Sequence, residues 1–119
     1  YVPEARVRHV HAASTGEGSP TFQHYVERNR LLMLAKNAPA RMAANAVWRY
    51  LLTTLSYARR DLVAPALGLH RPRPTVVWRR VRSFADFLRL LPAALADRRR
   101  IRRAATVDDA ELLAWTVRR

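Results

Sequence analysis

The spacing of hydrophobic and polar residues changes once along the chain, near its twelfth position. Residues 2–10 alternate with a period of two, which would place Val7, His9 and His11 on one face of a strand. Beyond Gly18, apolar residues recur every three or four positions, which is typical of amphipathic helices. The pattern therefore predicts a mainly α fold, in which one short N-terminal strand is followed by three to five amphipathic helices.

Residues that favour helix ends divide the helical region. Ser19 is suited to cap a helix and Pro20 to occupy its first turn, so we expect a first helix from Pro20 to about Lys36. A second helix should follow Pro39 and end near residue 60 or continue weakly to residue 68. Its apolar residues at helical spacing are Val47, Trp48, Leu51, Leu52 and Leu55.

The C-terminal part begins with a basic linker, residues 68–74, whose prolines disfavour helix. Thr75 should cap a third helix, and Pro92 should break or restart it. Thr106 should start a final short helix with acidic residues in its first turn. The apolar stripe of the third helix comprises Val77, Val81, Phe84, Leu88 and Leu91. Its opposite face is charged and comprises Arg79, Arg82, Asp86 and Arg89.

The chain is strongly basic, with a formal net charge of +13. Eleven arginines lie from Arg71 to Arg103, where only Asp86 and Asp97 oppose them. Such a segment attracts polyanions: nucleic acid, anionic lipid headgroups or phosphorylated substrates. However, 21 Arg, one Lys and 20 Ala also indicate a GC-rich coding bias, which weakens the argument from charge. The absence of cysteine excludes a disulfide framework and a thiolate metal site.

Two strings near the N-terminus resemble a known enzyme family. They run from Tyr1 to Thr15 (YVPEARVRHVHAAST) and from Glu27 to Leu32 (ERNRLL), and the likeness extends over residues 1 to about 39. They are similar to the C-terminal part of bacterial family-2 glycosyltransferases, and among these to the rhamnosyltransferase-like enzymes. These enzymes have a GT-A fold and transfer a sugar from a nucleotide donor with inversion. Because the chain also opens within a strand and without Met, we expect it to be a C-terminal fragment of such an enzyme.

The resemblance implies a division of the chain into three segments. Residues 1–38 would be the C-terminal edge of a GT-A-like catalytic domain whose remainder is missing, residues 39–70 a helical segment, and residues 71–119 a basic amphipathic helical tail. The donor-binding half and the general base would lie upstream, so the fragment alone should be inactive. The full-length enzyme would use Mg²⁺ or Mn²⁺, a nucleotide-sugar donor, and a glycan or polyprenyl-linked acceptor.

The resemblance also implies a role for the two alternating histidines. In the family, a late strand ends in a histidine that completes the divalent-metal site or contacts the donor diphosphate. This places His9 at that site, and His11 with less support. Two imidazoles two residues apart could share a metal ion, but without the resemblance we would interpret both as structural histidines.

Four further residues of the first segment are candidates for binding phosphate. Ser14 and Thr15 could do so through hydroxyls or loop N–H groups, although from the residues alone simple capping of the loop is the favoured explanation. Arg28 or Arg30 could hold a phosphate bidentately. The alternative for these arginines is a salt-bridged helix surface packed on the catalytic domain.

The basic tail suggests association with an anionic membrane surface. The apolar stripe of the third helix would enter the interface while the arginines remain among the headgroups. The expected location is cytoplasmic, peripheral at the inner face of the cell membrane. Alternatively, the stripe forms a protein core and the charged run is solvated. The arginines expected to face the membrane are Arg79, Arg82, Arg89, Arg98, Arg99, Arg100, Arg102 and Arg103.

Two other functions compete with this interpretation. The net charge would also suit a basic helical module that binds nucleic acid, or a structural adaptor. We find no helix-turn-helix spacing, zinc motif or RNA-binding aromatic signature, so nucleic acid is not the expected partner. A purely structural adaptor accounts for the helices but not for the first thirty residues.

Overall fold

The first helix begins where the sequence predicts. The computed structural model describes residues 16, 18–68, 71–72 and 74–114. In it, α1 spans Pro20–Asn37, with Pro20 in its first turn. Ser19 Oγ accepts a hydrogen bond from Phe22 N at 3.1 Å, which satisfies one of the free N–H groups of that turn. The predicted cap is confirmed, whereas the expected N-terminal strand lies outside the described residues.

The second helix continues beyond its regular α-helical part. Helix α2 spans Ala40–Ala58, a π-helical turn covers Arg59–Val63, and α3 is the short helix Ala64–Ala66. Pro65 has no N–H to donate to the carbonyl four residues earlier, so a regular α-helix would lack a hydrogen bond there. The π-helical turn lies directly before this proline. The chain leaves this region at Gly68, whose φ of +76° favours glycine.

The third long helix is not interrupted at Pro92. Helix α4 spans Pro74–Ala104, and α5 is the short helix Asp109–Ala114. The expectation of a break was wrong, because the α4 residues on both sides of Pro92 pack into the same bundle, including Phe87 and Ala94. The proline has no N–H to donate to the carbonyl of Leu88. This turn lies at the surface, since Leu88 is 50% exposed.

The cap of the last helix also differs from the prediction. Asp108 Oδ1, not Thr106, accepts the hydrogen bond from the N–H of Glu111, at 2.8 Å. An ionised aspartate is the stronger partner at a helix N-terminus, because its charge also interacts favourably with the helix dipole.

Helices α1, α2 and α4 pack around one small core. Its central residues are Leu31 on α1, Ala46 and Tyr50 on α2, and Phe87 on α4. The Tyr50 ring stacks on Phe84 with a centroid separation of 5.9 Å. In the described part of the chain, the fold is mainly helical, as the sequence predicted.

The buried side of α4 is rotated from the predicted apolar stripe. Val77 and Phe87 are buried, but Val81 and Leu88 are 45% and 50% exposed. Two polar residues, Arg80 and Ser83, are buried in their place. Both find hydrogen-bond partners on neighbouring helices, so these polar residues can occupy core positions that apolar residues usually fill.

Candidate functional site

A cleft of about 620 Å³ lies between α1 and α4. Its wall on α4 follows from helical geometry, because Thr75, Arg79, Arg82 and Asp86 recur at intervals of three and four residues and share one face. The wall on α1 comes from its first three turns. The residues that line the cleft are Pro20, Thr21, His24, Tyr25, Arg28, Thr75, Trp78, Arg79, Arg82, Asp86 and Arg89.

The charged residues that line the cleft are predominantly cationic. Among the described lining residues, arginines contribute four side chains, whereas Asp86 is the one carboxylate. Asp86 is itself engaged by Arg89 at 3.5 Å and by His24 at 3.1 Å. Arg79 and Arg82, by contrast, have no carboxylate within ion-pair distance among the described residues. A concave surface of one sign concentrates the field and attracts an anion.

Aromatic side chains form the apolar part of the cleft. Trp78 is 71% exposed and Tyr25 is 44% exposed, so both rings are available to a ligand. The Arg28 guanidinium lies 4.7 Å from the centroid of the Tyr25 ring, and its Nε and Nη2 donate to Asn29 Oδ1 at 3.0 and 2.9 Å. These contacts orient the Arg28 side chain along the α1 wall.

His24 is held between two α4 side chains at the base of the cleft. Its Nδ1 lies 2.9 Å from Ser83 Oγ, and its Nε2 lies 3.1 Å from Asp86 Oδ2. In neutral His24, Nε2–H donates to Asp86 while the Ser83 hydroxyl donates to Nδ1. In the imidazolium, both ring nitrogens donate, and Ser83 can donate instead to the carbonyl oxygen of Arg79, at 2.9 Å.

The connected Ser83, His24 and Asp86 side chains do not form a hydrolytic triad. A nucleophile must reach a substrate carbonyl, but Ser83 is 0% exposed. We therefore interpret the hydroxyl and the carboxylate as groups that fix the imidazole ring and join α1 to α4.

A second polar network joins α1, α2 and α4. The buried Arg80 forms an ion pair with Glu27 and donates from Nε to Thr54 Oγ1 at 2.9 Å. Its guanidinium carbon lies 4.0 Å from the centroid of the Tyr50 ring. The Tyr50 hydroxyl lies 2.9 Å from the Arg80 carbonyl oxygen and 3.2 Å from the Glu27 carboxylate. Burial, followed by the negative charge of Glu27, raises the pKa of Tyr50 to about 12.

The arginines expected to bind phosphate or membrane lie at different places in the structure. Arg28, Arg79, Arg82 and Arg89 line the cleft, and Arg30 lies beside a separate hollow of about 150 Å³. His9, His11, Ser14 and Thr15 lie outside the described residues.

The basic run at the end of α4, residues 98–103, forms some of its contacts within the fold. Arg98 Nη1 donates to the carbonyl oxygens of Ala35 and Ala38, at 2.9 and 2.6 Å. Arg102 forms an ion pair with Asp109. The remaining members of the run are exposed and comprise Arg99, Arg100 and Arg103.

Sequence reasoning did not single out His24 and Trp78 as members of this cleft. Neither residue could be assigned to the cleft from the sequence of its own helix. His24 lies near Arg28 on α1, and Trp78 lies near Arg79 and Arg82 on α4; the packing of α1 on α4 brings these residues together. Arg80 was also missed. Its positions relative to Val77 and Phe84, at intervals of three and four residues, would have placed it on a buried face.

The described residues contain no group of three or more His, Asp or Glu side chains that could hold a metal ion. Within the same part of the chain, no helix is both long and apolar enough to cross a membrane. No family model, curated protein or solved structure matches the chain.

Proposed function

We propose that this chain is the C-terminal part of a GT-A-type glycosyltransferase, and that its helical bundle binds a phosphate-bearing substrate in the α1/α4 cleft. One observation carries the binding proposal: Arg79 and Arg82 line the cleft without a carboxylate partner among the described residues. The catalytic proposal is supported by the resemblance of residues 1–39 to that family.

The composition of the cleft favours a phosphate group with an attached organic part. Guanidinium groups match phosphate oxygens in charge and in bidentate geometry. The exposed Trp78 and Tyr25 rings offer flat surfaces to a base, a sugar or an isoprenoid chain. A nucleotide-sugar and a polyprenyl-diphosphate-linked acceptor share this chemistry, and both are substrates of the proposed reaction.

In this proposal, the complete enzyme transfers a sugar from a nucleotide-sugar to a glycan or polyprenyl-linked acceptor. The enzyme acts at the inner face of the cell membrane, where its basic helices contact anionic lipid. A bound Mg²⁺ or Mn²⁺ would offset the charge of the leaving diphosphate. The described helices do not offer a ligand set for that ion. The role proposed for them is to bind and orient phosphate, on the strength of the cleft arginines.

The cleft is tested by calorimetric titration of the chain with inorganic pyrophosphate. The double variant Arg79→Gln, Arg82→Gln should bind on the order of tenfold more weakly, because two charge-assisted contacts are lost. The control is Arg99→Gln, Arg103→Gln, which removes the same charge from exposed positions outside the cleft. Circular dichroism should show the same helix content in both. An equal loss of affinity in the two variants would refute a specific site.

The catalytic part of the proposal is tested in the complete enzyme. His9→Ala should lower turnover on the order of a hundredfold, as removal of other single charge-stabilising groups does. Unchanged turnover and metal dependence would refute the assignment of His9. The two tests can be told apart, because the first measures affinity for pyrophosphate and the second measures turnover.

The net charge of +13 also favours a second candidate, binding of nucleic acid. Salt-sensitive DNA binding would not distinguish association with anionic lipid from a nucleic-acid function, since any polyanion attracts this chain. Anionic vesicles should retain the protein in the presence of excess duplex DNA if lipid is the preferred surface. Complete transfer of the protein to DNA would favour the second candidate.

A further inference from the structure

Helix α2 exposes an unusual amount of apolar surface on the side away from the core. Its inner side includes the buried Ala46 and Tyr50. The outer side lies about half a turn away. Trp48, Leu51, Leu52 and Leu55 form one face there, because the leucines follow Trp48 by three, four and seven residues. The exposed fractions on this outer face are 59% for Trp48, 39% for Leu51, 45% for Leu52 and 66% for Leu55.

The charged residues within α2 are all positive. Residues 40–58 contain no aspartate or glutamate. Arg41 precedes Trp48 by seven residues, and Arg59 follows it by eleven, so both lie near the same line along the helix. Both are exposed. The outer face therefore has an apolar centre and a basic residue at each end.

We propose that this α2 face, comprising Arg41, Trp48, Leu51, Leu52, Leu55 and Arg59, lies in the headgroup region of an anionic bilayer. The inference rests on the proposed association with a membrane surface, and it names the element that makes the contact. A helix with an apolar face bordered by cations lies in the plane of the interface, with its apolar side chains about 5–10 Å below the headgroups. Tryptophan is favoured at that depth.

Charge complementarity selects the bilayer over a neutral apolar partner. The arginines at the two ends of the face attract anionic headgroups, and the net charge of the chain adds a longer-range attraction. The length of α2, 19 residues, corresponds to about 28 Å, which lets both arginines reach headgroups from a helix lying flat.

The stripe expected on α4 is less suited to this contact. Phe84 and Leu91 of that stripe pack against the bundle core, and Val77 is buried. They could enter lipid only if the bundle opened. The α2 face, in contrast, can enter the interface without disrupting the core.

The test measures binding to vesicles of phosphatidylglycerol and phosphatidylcholine in equal parts, by co-sedimentation. Leu52→Gln, Leu55→Gln should lower the partition coefficient on the order of tenfold. The control, Leu88→Gln, Leu95→Gln, changes two half-exposed leucines of α4 and should bind as the unchanged protein does. In a protein with Trp78→Phe and Trp115→Phe, vesicles should shift the emission of Trp48 to shorter wavelength.

Three results would overturn the inference. If the α4 pair loses binding and the α2 pair keeps it, the membrane contact lies on α4 and the proposed surface association stands. If the unchanged protein binds no vesicles, surface association itself fails, while the pyrophosphate titration still judges the cleft. If analytical ultracentrifugation shows a dimer that Leu52→Gln, Leu55→Gln dissociates, the face binds a second copy instead.

Discussion

Individual polar residues decide how this bundle packs. Arg80 and Ser83 lie on the buried side of α4, where a hydrophobic pattern predicts apolar residues. A buried guanidinium is tolerated here because Glu27 balances its charge and Thr54 accepts one of its N–H groups. Such a partnership joins residues 53 positions apart in sequence, so it cannot be predicted from local spacing.

Removing Arg80 should therefore destabilise the fold more than removing an exposed arginine. Arg80→Met leaves the Glu27 charge without its partner, and should lower the free energy of unfolding by about 3 kcal/mol in urea titrations. Arg82→Met, on the exposed side of the same helix, should change it by less than about 0.5 kcal/mol.

Adding Glu27→Gln to Arg80→Met should recover part of the loss, because it removes the unpaired carboxylate. If Arg80→Met lowers the free energy of unfolding no more than Arg82→Met does, the network of Arg80 and Glu27 does not stabilise the bundle.

The start of α1 was the helix end best predicted from sequence, whereas the expected cap Thr75 lies within α4 and Asp108 replaces Thr106 as the cap of α5. Ser19 and Pro20 determine the start of α1 by local hydrogen bonding and a fixed φ, so the sequence sufficed. The path of α4 through Pro92 depends instead on packing with other helices, which local signals do not contain. The end of α1 likewise depends on long-range partners, since Arg98 of α4 donates to its last carbonyl groups.

The ion pair of Lys36 on α1 with Asp97 on α4 should make stability depend on pH in acid. Lys36 Nζ donates to Asp97 Oδ2 at 2.7 Å, and this hydrogen bond holds the pKa of Asp97 below its ordinary value of 3.8. The resulting stabilisation is present above that value and is lost as the pH falls through the lower pKa of the folded protein.

Lys36→Met should thus reduce the free energy of unfolding near about pH 6, and the difference from the unchanged protein should vanish near about pH 2. Arg100→Met is the control, because Arg100 lies farther from Asp97, at 3.5 Å. A difference for Lys36→Met that persists undiminished at the lower pH would contradict the role of this ion pair.

At the scale of the whole molecule, the bundle presents two surfaces that helical periodicity alone did not reveal. The α1/α4 cleft combines arginines from helices separated by about fifty residues of sequence, and the outer face of α2 exposes residues whose spacing resembles that of a core. The sequence predicted which helices exist, but which face of each is buried depends on their mutual packing. The candidate histidines of the N-terminal string stay a prediction.

Phosphate binding in the α1/α4 cleft is the central claim, and the arginine side-chain N–H signals of ¹⁵N-labelled protein test it most directly. Titration with inorganic pyrophosphate should shift the signals of Arg79 and Arg82 most, with Arg28 next, along one saturable curve. Signals of the exposed Arg99 and Arg103 should move little. Shifts spread evenly over all exposed arginines, without saturation, would show only general attraction between a basic chain and an anion, and would contradict a site in this cleft.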